Sequence, residues 1–196
     1  MIIKNLIKMI VISAVAGLCT SEANSTLRAM EFHSDDSQRA SKVFSAIQTV
    51  GYINPIRGYQ LAQAITKYSD MNHVNPELLV AIIMAESSFM EPRRLRTKEN
   101  RDGTHDISIA QINVERWAIE FPRRKLGTLD AKRLRTDETY AVEVLAKILK
   151  SLSKKKTKDW FAYYHSNRPL EKKMYFLKVS KTLQLINPSL VASNHI

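Results

Sequence analysis

Glu86 closes a run of apolar residues at helical spacing, following Ile82 by four positions and Leu79 by seven, with Ile83 beside them. This spacing predicts a carboxyl on the core face of a helix. Burial against aliphatic side chains disfavours the charged form, so a carboxyl there is expected to keep its proton closer to neutrality, as a general acid at working pH must. The alternative is a structural glutamate satisfied by an arginine or by backbone amides, because a buried acid without partners is costly. Position alone leaves both readings open.

No second acid stands out beside it. Asp102 and Asp106 are close in sequence to a turn, and turn or capping duty explains them more simply than catalysis. The chain carries no nucleophile triad, no phosphate-binding glycine loop, no His-Glu-x-x-His and no zinc-ligand spacing, so neither a metal nor another cofactor is expected. Cys19 is the single cysteine, which excludes an intramolecular disulfide framework and a cysteine metal site.

The elements that must position Glu86 read as helices. Asn75 is a good N-cap and Pro76 suits the first helical position, predicting a helix from there to about Ser88. Helical periodicity also runs through Val43, Phe44, Ile47 and Val50, and from about Ile56 to Met71. Thr136 is a candidate cap for a helix through Tyr140, Val144, Leu145, Ile148 and Leu152. Two further helical stretches cover roughly Asp159 to Ser166 and Pro169 to Leu185. Between them, Arg93 to His105 reads as a loop with turn residues Asn100, Asp102 and Gly103. The spacing of Ile107, Ile109 and Ile112 fits either a short extended piece or a helix start. Five glycines and few alternating patterns leave little room for a sheet, so the fold is expected to be mainly α.

At 196 residues with 44% hydrophobic content, the chain can build one core and is expected to be one domain. Its start differs from the rest. Lys4 and Lys8 precede an apolar run from Met9 to Leu18, and Ser21 and Ala23 supply small residues at a cleavage position. Residues 1–23 are therefore expected to be a secretory signal peptide, with the mature domain over 24–196. The apolar run is shorter than the roughly 20 residues a membrane span needs. Cys19 is a poor lipidation site because Leu18, not a small residue, precedes it.

The formal charge of +11 draws the protein to polyanions. Basic clusters occur at Arg93, Arg94 and Arg96, at Arg123 to Lys125, and at Lys154 to Lys158, although solvated helix faces explain many such runs. The export signal favours an anionic membrane or the cell wall over nucleic acid, for which no binding module is recognisable.

Asn75-Pro76-Glu77-Leu78-Leu79-Val80-Ala81-Ile82-Ile83-Met84-Ala85-Glu86-Ser87-Ser88-Phe89 resembles the first motif of the lytic transglycosylase family related to the soluble lytic transglycosylase domain. That motif is a helix ending in Glu-Ser with a nearby Phe. Asp106-Ile107-Ser108-Ile109-Ala110-Gln111-Ile112-Asn113 is similar to the family's Gly-Leu-Met-Gln-Ile segment. With Asn100-Arg101-Asp102-Gly103-Thr104 before it, the segment looks most like the branch associated with secretion systems and pili. Tyr163-Tyr164-His165-Ser166-Asn167 is similar to the third motif, and Tyr175 matches a later tyrosine. Order and spacing agree from about Asn75 to Val179, within a motif-bearing part of about 56–185. Four positions depart: Ser108 stands where the family usually has glycine, Ala110 where it has methionine, His165 where it has asparagine and Asn167 where it has glycine.

The resemblance implies a lysozyme-like domain that cleaves the β-1,4 bond between N-acetylmuramic acid and N-acetylglucosamine in peptidoglycan. Glu86 would protonate the bridging oxygen and then act as base on the muramyl 6-hydroxyl, which closes on C1 to give a 1,6-anhydro product. One carboxylate suffices for this, where retaining and inverting hydrolases use two. The resemblance further implies that Ser87, Gln111, Tyr164, His165 and Tyr175 contact sugar or orient the acid. Each also has a plain structural reading: a helix-end serine, a loop glutamine, two core tyrosines and a packed histidine. The implied partners are peptidoglycan glycan strands and an envelope-spanning secretion or pilus machine, and the implied location is the periplasm or cell wall. A hydrolase of the same bond, and a non-catalytic wall-binding or scaffold protein, are the competing expectations.

Overall fold

A computed structural model of the chain describes residues 35–90, 98–100, 102–155 and 157–189. The expected signal peptide, Cys19 and the basic triplet Arg93, Arg94 and Arg96 lie outside the described residues. The chain divides between Arg39 and Ala40, and the core and cavities belong to the part that begins at Ala40.

Local signals set most of the elements. Helix α1 runs over 35–50, α2 over Pro55–Asn72 and α3 over Pro76–Ser87. Asn54 and Asn75 cap α2 and α3 in the same way, each side-chain oxygen accepting from the second and third backbone N–H groups of a helix that starts with proline. Such a cap contributes about 1 kcal/mol, and proline loses nothing at a position whose N–H has no partner inside the helix. A small antiparallel sheet comes next, with β1 at Lys98–Glu99, β2 at His105–Ile107 and β3 at Ile112–Asn113 in that spatial order. Lys98 pairs with Asp106, Asp106 with Asn113, and Ile107 with Ile112. Then come α4 at Val114–Arg123, α5 at Ala131–Thr136, α6 at Glu138–Leu152, a 3-10 helix at Trp160–Tyr164, and α7 at Pro169–Ile186. The fold is mainly α.

Three expectations change. Within the expected loop, Lys98–Glu99 is the first arm of a hairpin, and the isoleucine segment resolves into β2, a tight turn and β3. Helix α6 is capped by Asp137, whose side chain accepts from the Tyr140 N–H, whereas Thr136 ends α5 and donates back to its own helix. Helix α4, with Trp117 and Phe121 buried, is an addition to the expected elements.

One continuous core runs through these elements. Helix α6 packs on α2 and α5 and on the 3-10 helix, while α3 packs on α7. Every residue of α3 from Leu78 to Ile83 is buried, so this helix has core on all sides and not on a single stripe. Burial of that length does not by itself single out Glu86. What does is the way α3 stops. Ser88 and Phe89 both take left-handed backbone angles, φ 53° and 57°, which cost a side-chain-bearing residue about 1 kcal/mol or more each. Packing and hydrogen bonds from α2 and from the segment before it hold this turn. Phe89 is buried against Gly51, where an added Cβ would stand 2.8 Å from its ring. Its carbonyl accepts from Arg57 Nη1 at 2.7 Å. The same guanidinium binds Glu138 through Nε and Nη2, at 3.0 and 2.6 Å. With both side chains largely buried, removing one partner would cost about 3 kcal/mol.

Candidate active site

Where α3 ends, its last turn meets a cavity of about 700 Å³ bounded by the sheet, α4, the 3-10 helix and the start of α7. Glu86 lines it with a side chain only 12% exposed, the carboxylate lying between core and solvent. Oε1 is buried, and Nδ1 of His165 stands 3.9 Å from it. The Lys178 ammonium donates to the Ala85 carbonyl, placing a cation at the negative end of the helix beside the acid.

The sheet supplies the opposite wall. Its β2–β3 turn is tight: Ser108 has φ 71° and Gln111 φ 49°, with the Gln111 N–H donating to the Ser108 carbonyl at 3.0 Å. Ser108 thus occupies the left-handed conformation that glycine adopts at no cost, and its hydroxyl accepts weakly from the Ala110 N–H at 3.3 Å. Gln111 reaches the cavity, and its amide nitrogen donates to the Ser108 carbonyl at 2.9 Å. That leaves the amide oxygen as its acceptor for a ligand. Thr104 ties the hairpin together, its hydroxyl donating to Asp102 at 2.7 Å while accepting from Asn100 and Asn113. The turn role expected for Asp102 is therefore the observed one, and hydrogen bonds from Thr104 hold its carboxyl below the usual range.

Tyr164 lines the cavity from the 3-10 helix, and Tyr175 sits behind it. The Tyr164 hydroxyl donates to the Ala110 carbonyl at 2.6 Å, so it fixes the β2–β3 turn and does not hydrogen-bond the acid. Burial first, then the charges of Glu86 and Asp106, push its ionisation well above the ordinary tyrosine range. Tyr175 is buried and does not line the cavity. It stacks flat on His165, centroids 4.6 Å apart, and burial first, then the charge of Glu86, pushes its hydroxyl well above the ordinary tyrosine range. Tyr175 therefore lies behind His165, where it feels the Glu86 charge, and outside the cavity lining. Ser87 is also absent from the lining: it is buried and donates back to the Ile83 carbonyl at 3.3 Å. Its expected contact with substrate is corrected to a helix-end bond.

Two residues of the site escape a reading of the sequence. Arg116 lines the cavity and donates to the carbonyls of Tyr164 at 3.1 Å and Tyr163 at 2.9 Å, pinning the 3-10 helix that carries Tyr164 and, just beyond its end, His165. Desolvation lowers its ionisation from the usual arginine value. Asp106, read as a turn residue, directs its charge at the same buried Tyr164 as Glu86 does. The cavity lining thus holds Asp102, Asp106 and Glu171 besides Glu86. Among the described residues, no group of three His, Cys, Asp or Glu side chains is arranged to hold a metal ion.

Compared with family models, curated proteins and solved structures, the chain matches none of them.

Proposed function

We propose that the protein is a lysozyme-like lytic transglycosylase that cleaves peptidoglycan glycan strands after export to the periplasm or cell wall, with Glu86 as its acid and base. The supporting observation is the placement of one largely buried carboxylate at the mouth of a polar cavity in which the residues of all three motifs meet. Glu86 gives its proton to the oxygen linking N-acetylmuramic acid to N-acetylglucosamine, and the C1–O bond breaks. The carboxylate then takes the proton of the muramyl 6-hydroxyl as that oxygen bonds to C1, so no water is consumed. Gln111, Asn100 and Asn113 line the cavity with the amide groups that an N-acetyl sugar recognises, while the Thr104 hydroxyl is spent on holding the two asparagines in place. The φ of 71° at Ser108 supports the resemblance at a position where the side chain departs from it, because the backbone there has the form a glycine would take. Service to an envelope-spanning machine rests on the resemblance alone.

Asp106 favours one rival. A hydrolase of the same bond needs a second carboxylate, and this residue shares the cavity with Glu86. Digestion of purified sacculi, followed by mass analysis, separates the readings. Anhydro-muropeptides from the native protein and from Asp106→Asn, with none from Glu86→Gln, support the transglycosylase. Reducing-end products that vanish in Asp106→Asn support the hydrolase. Binding to sacculi without turnover would leave a scaffold.

A further inference from the structure

A second cavity, of about 620 Å³, is lined by charge of one sign, positive. The first mixes the carboxylates of Glu86, Asp102, Asp106 and Glu171 with Arg116 and Arg168; the second is lined by Arg123, Arg124, Lys125, Lys147, Lys150 and Lys154, with no acidic side chain among its lining residues. These cations come from two stretches far apart in sequence, the end of α4 and the last turns of α6 with the residues just beyond it. Helix ends attract one or two cations each, but that does not gather six around one concave space. Some are already held. Arg124 Nε is 2.7 Å and Arg123 Nη1 3.7 Å from the carboxylate of Glu120, and Lys147 Nζ is 2.6 Å from Glu143 Oε1. Neither acid lines the space, so these ion pairs brace its walls from outside. Lys125 is aimed by strained backbone, with φ 58° fixed by a bond from its N–H to the Pro122 carbonyl at 3.1 Å.

We propose that this cavity binds a ligand carrying two or more phosphate charges, such as a diphosphate ester. Holding so many like charges around one space costs repulsion that a multivalent anion relieves. The braced Arg124 is a fixed fork and the exposed lysines are point charges, the combination that suits phosphate oxygens. At this volume the space also accommodates the group that bears the phosphates. The site is separate from the Glu86 cavity and does not depend on its reaction.

The test uses inorganic pyrophosphate, titrated calorimetrically into the full chain and into Lys125→Gln/Lys150→Gln/Lys154→Gln. All three positions are exposed, so the variant should fold, and a Tm without ligand no lower than that of the native protein verifies this. Saturable binding by the native protein that weakens at least about tenfold in the variant supports the site. A second arm uses vesicles containing phosphatidic acid against vesicles of phosphatidylcholine alone. Lysine-dependent binding to the former, displaced by pyrophosphate, assigns the phosphate to a lipid headgroup. Pyrophosphate binding without vesicle binding assigns it to a soluble ligand. Equal binding by native and variant chains, a response reproduced by sodium chloride at matched ionic strength, or no binding in either arm overturns the proposal.

Discussion

The imidazole of His165 lies flat on the ring of Tyr175, 4° between planes, with Nδ1 3.9 Å from Oε1 of Glu86. A histidine in this place puts a titratable cation beside the candidate acid, and Glu171 also feels its charge. Protonated imidazole favours the ionised form of a neighbouring carboxyl, whereas cleavage needs that carboxyl protonated. In His165→Phe, which keeps a ring for stacking, the pH–rate profile on sacculi should overlay the native one above about pH 7 and exceed it below about pH 6, where imidazoles charge. Identical profiles throughout would mean that His165 does not influence Glu86.

Tyr164 and Tyr175 make a prediction at the other end of the pH scale. Burial raises the ionisation of both above the ordinary tyrosine value. Their contribution to stability is complete below about pH 10 and is lost as pH rises further, because the unfolded chain releases protons that the native chain retains. The slope should reach about 1.4 kcal/mol per pH unit for each tyrosine. Denaturant unfolding between about pH 9 and 11 measures it, and Tyr175→Phe should fall less steeply than the native protein. A parallel fall would place the alkaline loss elsewhere.

The sequence displays the acid and its helix because their signals are local. Asn75, Pro76 and the apolar residues up to Ile83 all sit within one stretch, and the structure keeps α3 within one residue of its expected end. The environment of Glu86 is harder to read. Its stripe is part of a helix buried on all sides, and what opens it to solvent is the double left-handed turn at Ser88 and Phe89, secured by Arg57 from another helix. Helix α4 is hidden for a related reason: Pro122 stands inside it, although Trp117 and Phe121 keep the four-residue spacing of a buried face. Ser87 and Tyr175 stay out of the cavity lining because closeness to a motif in sequence does not fix which way a side chain points.

Ser108 tests how far the β2–β3 turn tolerates its own sequence. At φ 71° a serine is strained, and the bond its hydroxyl accepts at 3.3 Å is a long one. Ser108→Gly should therefore stabilise the protein by about 1 kcal/mol, seen as a Tm higher by about 2–4 °C. Ser108→Val, branched at Cβ and unable to accept that bond, should lower Tm. A destabilised glycine variant would show that the hydroxyl outweighs the backbone strain.

Arg116 controls the site from behind. Its two carbonyl partners, Tyr163 and Tyr164, lie 47 and 48 residues further along the chain, which is why no local pattern announces it. The guanidinium spans both carbonyls at once and also lies over the Trp117 ring, 5.1 Å from its centroid. A lysine has one ammonium and no planar fork, so it cannot reproduce this arrangement. Arg116→Met removes both bonds and leaves two carbonyls short of a donor, a loss of about 2–4 kcal/mol. Arg116→Lys should recover only part of that in denaturant unfolding. Because the 3-10 helix carries Tyr164 and leads into His165, loosening it disturbs the turn bearing Gln111 and the imidazole beside Glu86. On sacculi, Arg116→Lys should therefore weaken substrate binding and lower turnover together, while Glu86→Gln lowers turnover alone. If Arg116→Lys lost stability but cleaved at the native rate, the arginine would be a core bond and not a positioning residue.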